Sequence, residues 1–127
     1  MMLLDNFLAM NAASMANSNN AVNAIVLGGT DLAEKTVELL RNKGLKVIHL
    51  TDPFQLIKEK NLSYLFALSE NDADNIAFYK IGKKVYCIEH MICICNDKKN
   101  ENLFIKEDLN YLYYEKASVK KLCEMVL

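Results

Sequence analysis

The residues of this chain with the clearest chemical potential are Gly28, Gly29, Thr30 and Ala33, a turn set between an apolar run, Ala24 to Leu27, and an amphipathic helical pattern. In the spacing GxGxxG the first glycine makes the turn, the second lets backbone approach a pyrophosphate, and the third lets helix pack on strand. Those places hold Gly28, Thr30 and Ala33. Alanine serves in the third place, but Thr30 puts a branched side chain where a pyrophosphate needs clearance, part of which Gly29 restores. Asp31 adds negative charge at the helix N-terminus, where the dipole and free N–H groups otherwise attract anions. It stabilises the helix and competes with phosphate. An acid about 20 residues beyond the turn, where a ribose would be held, is available as Asp52; the same residue is equally a good helix cap.

The other reactive residues fit ordinary roles. Tyr79 and Lys83 form a YxxxK, the pair in which an ammonium lowers the pKa of a phenolic acid/base; here it reads as a partly buried tyrosine beside a solvated lysine. His49 lies near the C-terminal end of an apolar run, within reach of a ligand there, and reads as a packed or hydrogen-bonded histidine. His90 enters its strand from the opposite edge. Cys93 and Cys95 share one strand face, and with Cys87 and Cys123 they lack the paired spacing of a structural zinc site. All four read as buried, reduced thiols. No nucleophile–base pair or carboxylate dyad is evident, so the chain is read as a non-enzyme.

The elements that must position the glycine turn alternate regularly. Asp31 with Glu34 signals a helix start, Leu32, Ala33, Thr36, Val37 and Leu40 fall on one face, and Gly44 supplies the stop. Leu45 to Leu50 predicts a second strand. Asp52, Pro53 and Gln55 then predict a short helix to about Lys60. Ser63 to Leu68 predicts a third strand. A helix opening at Ser69–Asp72 has apolar positions Ala77, Ile81, Val85 and Ile88, so it is taken through Ile88, with Glu89-His90 as the turn into a fourth strand, Met91 to Cys95. The alternative ends that helix near Lys80 and makes Val85 to Ile88 a strand. Leu103, Phe104 and Ile105 mark a short helix and Tyr111 to Tyr114 a fifth strand. Val119, Leu122, Cys123 and Val126 form the stripe of a last helix capped by Ser118.

Strands alternating with helices imply right-handed crossovers and a mainly parallel sheet, and continuous apolar strands imply cover on both faces. The expected fold is a three-layer, doubly wound α/β domain, Rossmann-like, spanning residues 23–127. Residues 1–22 read as an arm, with Leu3, Leu4, Phe7 and Leu8 at helical spacing, and an Asn/Ser-rich linker. At 127 residues and net charge -1, the chain has no room for a separate substrate domain and no electrostatic grip on nucleic acid. The lysine doublets lie on separated elements. No apolar run approaches the roughly 20 residues of a membrane span, and no signal peptide is recognisable, so a cytoplasmic location is expected.

Three segments carry a likeness to a known family. SYLFALSENDADNIAFYKIGKK (Ser63 to Lys84) resembles the part of the TrkA-N or RCK (regulator of potassium conductance) domain where strand three ends in a small or hydroxyl residue before an Asp-rich turn and helix. ICICNDKKNENLF (Ile92 to Phe104) is similar to that family's fourth strand with its Asn, polar turn and short helix, and LNYLYYEKASVKKLCEMVL (Leu109 to Leu127) to its closing strand and helix. The resemblance implies a cytoplasmic gating or regulatory subunit of a potassium channel or transporter. Such a subunit would bind NAD(H), ATP, ADP or AMP and assemble as a homodimer or larger ring beside a membrane partner. It implies nucleotide contacts at Gly28, Gly29, Thr30, Asp31 and Leu32, at Thr51 or Asp52, at Ser69, Asn71 and Asp72, and at Asn96. The competing expectation is a degenerate module of the same fold kept for assembly alone.

Overall fold

Parallel strands bury both faces, so they need crossovers on each side and apolar residues at successive positions. In the computed structural model, which describes residues 23–59 and 61–126, that requirement is met by five strands. These are β1 (Asn23–Leu27), β2 (Lys46–Leu50), β3 (Leu62–Ala67), β4 (His90–Cys95) and β5 (Tyr111–Tyr113). They form one sheet in the order β2-β1-β3-β4-β5, with every pairing parallel. α1 (Asp31–Asn42) and α4 (Val119–Val126) cover one face; α2 (Asp72–Lys84) and α3 (Glu101–Lys106) cover the other. The expected three-layer α/β architecture is present, and the arm at residues 1–22 lies outside the described residues.

Strand alternation divides the core in two. Ala24 and Val26 of β1, Tyr64 and Phe66 of β3, and Ile92 and Ile94 of β4 face Val37 and Leu40 of α1 and Leu122 of α4. Ile25 and Leu27, Leu65 and Ala67, and Cys93 and Cys95 face Phe78 of α2 and Phe104 of α3. The order in which successive strands are added reverses at β1, which pairs with β2 on one side and β3 on the other, so the sheet's C-terminal edge opens between β1 and β3.

Several expectations are corrected. Among the described residues no helix follows β2: Asp52 Oδ1 accepts from Phe54 N–H at 2.9 Å and Gln55 N–H reaches Asp52 O at 3.3 Å, and the turn goes no further. The local start signal is real, but propagation of so short a helix needs an apolar face to bury, and Phe54 and Leu56 are 65% and 88% exposed. α2 ends at Lys84 rather than Ile88, and Val85 to Ile88 is neither helix nor strand. The chain leaves the helix through Cys87 at φ 54, a left-handed closing residue, and Ile88 N–H bonds back to Gly82 O at 3.0 Å. Cys87 is exposed, unlike the other cysteines. Finally, the buried face of α2 is Asp72, Asn75, Phe78, Tyr79 and Gly82, not the stripe through Ala77, Ile81 and Val85.

Among the described residues no helix is long and apolar enough to cross a membrane.

Candidate functional site

The glycine turn is fastened to the end of β3. Gly28 has φ 128, and a Cβ there would stand 2.7 Å from Leu68 O and 2.9 Å from Ser69 N, so the turn and β3 approach as closely as backbone allows. Leu68 N–H donates to Leu27 O at 2.9 Å, and Gly28 N–H donates to Leu50 O at 2.8 Å. His49 reaches the same turn: its Nε2 lies 2.5 Å from Gly28 O, and because a carbonyl only accepts, Nε2 carries the proton. His49 is therefore a hydrogen-bonded histidine that braces the turn from β2.

Thr30, not Asp31, is the N-cap of α1. Its Oγ1 accepts from Ala33 N–H at 3.1 Å and its hydroxyl donates to Leu68 O at 3.1 Å. The hydroxyl that replaces a fingerprint glycine thus ties the helix start to the neighbouring strand end. Asp31 stands one position inside, exposed and paired with Lys35 at 2.9 Å. Replacing Thr30 with alanine should cost about 1–2 kcal/mol, the usual worth of a hydroxyl cap, and serine should retain most of it. Thermal melts of the two variants check this; an alanine variant as stable as wild type would refute the cap.

After β3, Asn75 organises the other wall. It is 0% exposed. Its Oδ1 accepts from Ser69 N–H at 2.9 Å, while Nδ2 donates to Ser69 O at 2.8 Å and to Ile94 O at 3.0 Å, joining the ends of β3 and β4. Asn71 caps α2 by accepting from Asp74 N–H at 3.0 Å, and its own N–H donates to Ser69 Oγ at 3.1 Å. Asp72, 8% exposed, faces away from this wall toward the exit of β4. Its Oδ1 accepts from Asn96 N–H at 2.7 Å and Asn96 Nδ2 at 3.0 Å; its Oδ2 accepts from Asp97 N–H at 3.0 Å and Asn100 Nδ2 at 2.9 Å. Burial raises the Asp72 pKa, but these hydrogen bonds, from Asn100 first and then the Asn96 and Asp97 amides, outweigh it and hold the carboxyl below its ordinary range.

Between the two walls lies a cleft of about 460 Å³ at the point where the strand order reverses. Of the residues proposed from sequence, Gly28, Gly29, Thr30, Thr51, Ser69 and Asn71 line it together, joined by Glu70 and Asp74, which sequence reasoning missed. Asp31, Leu32, Asp52, Asp72 and Asn96 are not among its lining residues: Leu32 packs against the α1 core face, Asp52 caps its own turn, and Asp72 is consumed by the β4 exit. Asn75 was also missed; the signal for it is a polar residue continuing the buried stripe of Phe78, Tyr79 and Gly82. Gly29 has no conformational demand, since a Cβ there would meet only Thr51 Cγ2 at 3.9 Å.

A second cavity, of about 650 Å³, opens beyond β4 and β5 and is lined by Asn96, Asp97, Lys98, Tyr113, Tyr114 and Glu115. At its side Glu101 Oε2 accepts from Tyr111 Oη at 2.6 Å and also from Tyr113, which lowers the Glu101 pKa and pushes Tyr113 up to about 12. Lys98 lies over the Tyr113 ring, 5.2 Å from its centroid, and pairs with Glu115 at 3.1 Å.

The remaining candidates sit away from the cleft. Tyr79 is buried with its hydroxyl accepting from Asn110 N–H at 3.2 Å, whereas Lys83 is exposed. His90 stacks obliquely on Tyr64 at the opposite edge. Burial pushes the Cys95 and Cys123 thiols up to about 11 and Cys93 further, so all three are protonated at neutral pH. No protein-family model and no curated protein matches this chain.

Proposed function

We propose that this chain is a non-catalytic regulatory domain that senses an adenine nucleotide or its nucleoside in the cleft between the β1 and β3 ends. In line with the TrkA-N/RCK resemblance, it would act in the cytoplasm on a potassium channel or transporter. The observation that carries the reading is the bare backbone of Gly29: neither φ nor packing requires glycine there, yet it lines the cleft, where backbone without a side chain leaves room for a ligand. Occupancy would bridge the α1 and α2 starts, which lie on opposite sheet faces, and so bias their packing against a neighbouring subunit.

Adenosine, AMP, ADP, ATP, NAD and NADH form the test panel. A bound member raises the unfolding free energy by RT ln(1 + [L]/Kd), about 2.7 kcal/mol at one hundred times Kd. Absence of any thermal shift at millimolar concentration would reject the reading.

The exposed Phe54 and Leu56 on the connection from β2 to β3 favour a second reading, an assembly module without ligand. It predicts an oligomer, seen by light scattering, whose size is indifferent to the panel and falls when both residues become serine.

A further inference from the structure

We infer that Phe54 and Leu56, exposed on the connection from β2 to β3, are the seat of an N-terminal segment of this same chain, the apolar stripe Leu3, Leu4, Phe7 and Leu8. A crossover in a covered parallel sheet buries its apolar residues against the strands it spans. This one packs Ile57 against the core on the α2 side, where its N–H donates to Tyr86 Oη at 3.1 Å, yet leaves Phe54 65% and Leu56 88% exposed. Two neighbouring large apolar side chains are thus left without cover. The inference holds whether or not the cleft takes a nucleotide.

Three observations favour the chain's own stripe as the occupant. The connection leaves β2 at Thr51 and comes back to the start of that strand, where Glu59 pairs with Lys46 at 2.9 Å. Lys46 lies beside Asn23 in the β1–β2 register, and Asn23 is where the preceding chain enters the sheet, so entry point and connection meet at one edge. Asn23 itself is 3% exposed, and its Oδ1 has no hydrogen-bond partner among the described residues. A buried acceptor of this kind calls for a donor, and the chain running directly into Asn23 is the nearest source. The stripe is also within reach: residues 9–22, fully extended, span on the order of 45 Å, against about 17 Å for the length of β2. Such a tether acts as an effective concentration of roughly millimolar, so the chain's own stripe outcompetes a second copy at ordinary protein concentrations. Leu3 and Phe7, like Leu4 and Leu8, are four apart, a spacing that sets both pairs on one side of a helix with Asp5 and Asn6 away from it.

The test is hydrogen–deuterium exchange of the full chain, read on peptides covering residues 2–8, with light scattering on the same samples. In a monomer these amides are expected to exchange roughly tenfold or more slowly than in a free peptide of that sequence, and to return to the free rate in Phe54→Ser with Leu56→Ser. A second variant, Leu4→Ser with Leu8→Ser, alters no residue of the sheet. It should raise the fluorescence of added ANS by uncovering Phe54 and Leu56, whereas an unseated stripe would make the same variant lower it by removing exposed leucines. Exchange at the free-peptide rate, protection unchanged in the Phe54/Leu56 variant, or an ANS signal that fails to rise in the Leu4/Leu8 variant overturns the inference. Protection present only in an oligomer and lost on dilution overturns it in favour of a second copy as the occupant.

Discussion

Replacing Gly28 with alanine is expected to lower the stability of the domain by about 3–5 kcal/mol, among the largest effects of any single methyl group in this chain. Two independent costs combine. At φ 128 an L-residue is strained whatever its surroundings. The added Cβ would also sit 2.7 Å from Leu68 O and 2.8 Å from its carbonyl carbon, and neither can swing aside as a side chain would. Relief requires β1 and β3 to part at their ends, where Leu68 N–H bonds Leu27 O and Thr30 bonds Leu68 O. Gly29→Ala is the control: with only Thr51 Cγ2 nearby at 3.9 Å, it should change stability by less than about 1 kcal/mol. Urea unfolding of both variants measures the contrast. Equal losses at the two positions would contradict this account of the turn. In ligand titrations Gly29→Ala should weaken binding while the fold is kept, which separates the two glycines by role.

The parts of the fold visible in sequence are those decided by local pattern. Ala24 to Leu27 and Ile92 to Cys95 read as continuous apolar runs because both faces of the sheet are covered, and every one of those residues is buried. The α1 stripe of Ala33, Thr36, Val37 and Leu40 is buried as the helical period requires, with Thr36 admitted because its hydroxyl donates to Leu32 O at 2.8 Å. What sequence could not resolve depends on distant partners. Thr30 and Asp31 are both good caps one residue apart, and the choice is made by the carbonyl of Leu68 on another strand. The start signal at Asp52-Pro53 cannot show that Phe54 and Leu56 find nothing to pack on. Asp72 and Asn75 look like solvent-facing helix positions, yet both are buried because Asn96, Asp97, Asn100, Ser69 and Ile94 supply their hydrogen bonds. The same uncertainty divides the site: its two walls were legible as strand ends, whereas the charge contributed by Glu70 and Asp74 depends on how the α2 start turns into the cleft.

Asp72→Ala is expected to cost about 2–4 kcal/mol at neutral pH, because it removes a charged acceptor serving donors from Asn96, Asp97 and Asn100. Asp72→Asn should be nearly as costly: an amide presents an NH₂ group where the native site already supplies only donors. The pH dependence identifies the ionised form as the source. The folded-state pKa of Asp72 is lowered, the hydrogen bonds outweighing the opposing effect of burial, so the unfolded chain binds the proton more readily. Its contribution to stability is therefore fully present above the unfolded carboxyl pKa, about 3.9. It declines as pH falls below that value and is lost once pH passes through the lower folded pKa. Urea midpoints of wild type and Asp72→Ala, measured from pH 7 down to pH 3, should keep a constant separation near neutrality and converge at the acid end. A separation independent of pH would place the effect in side-chain packing rather than in the carboxylate, and would remove Asp72 as the ionic clasp between the α2 start and the exit of β4.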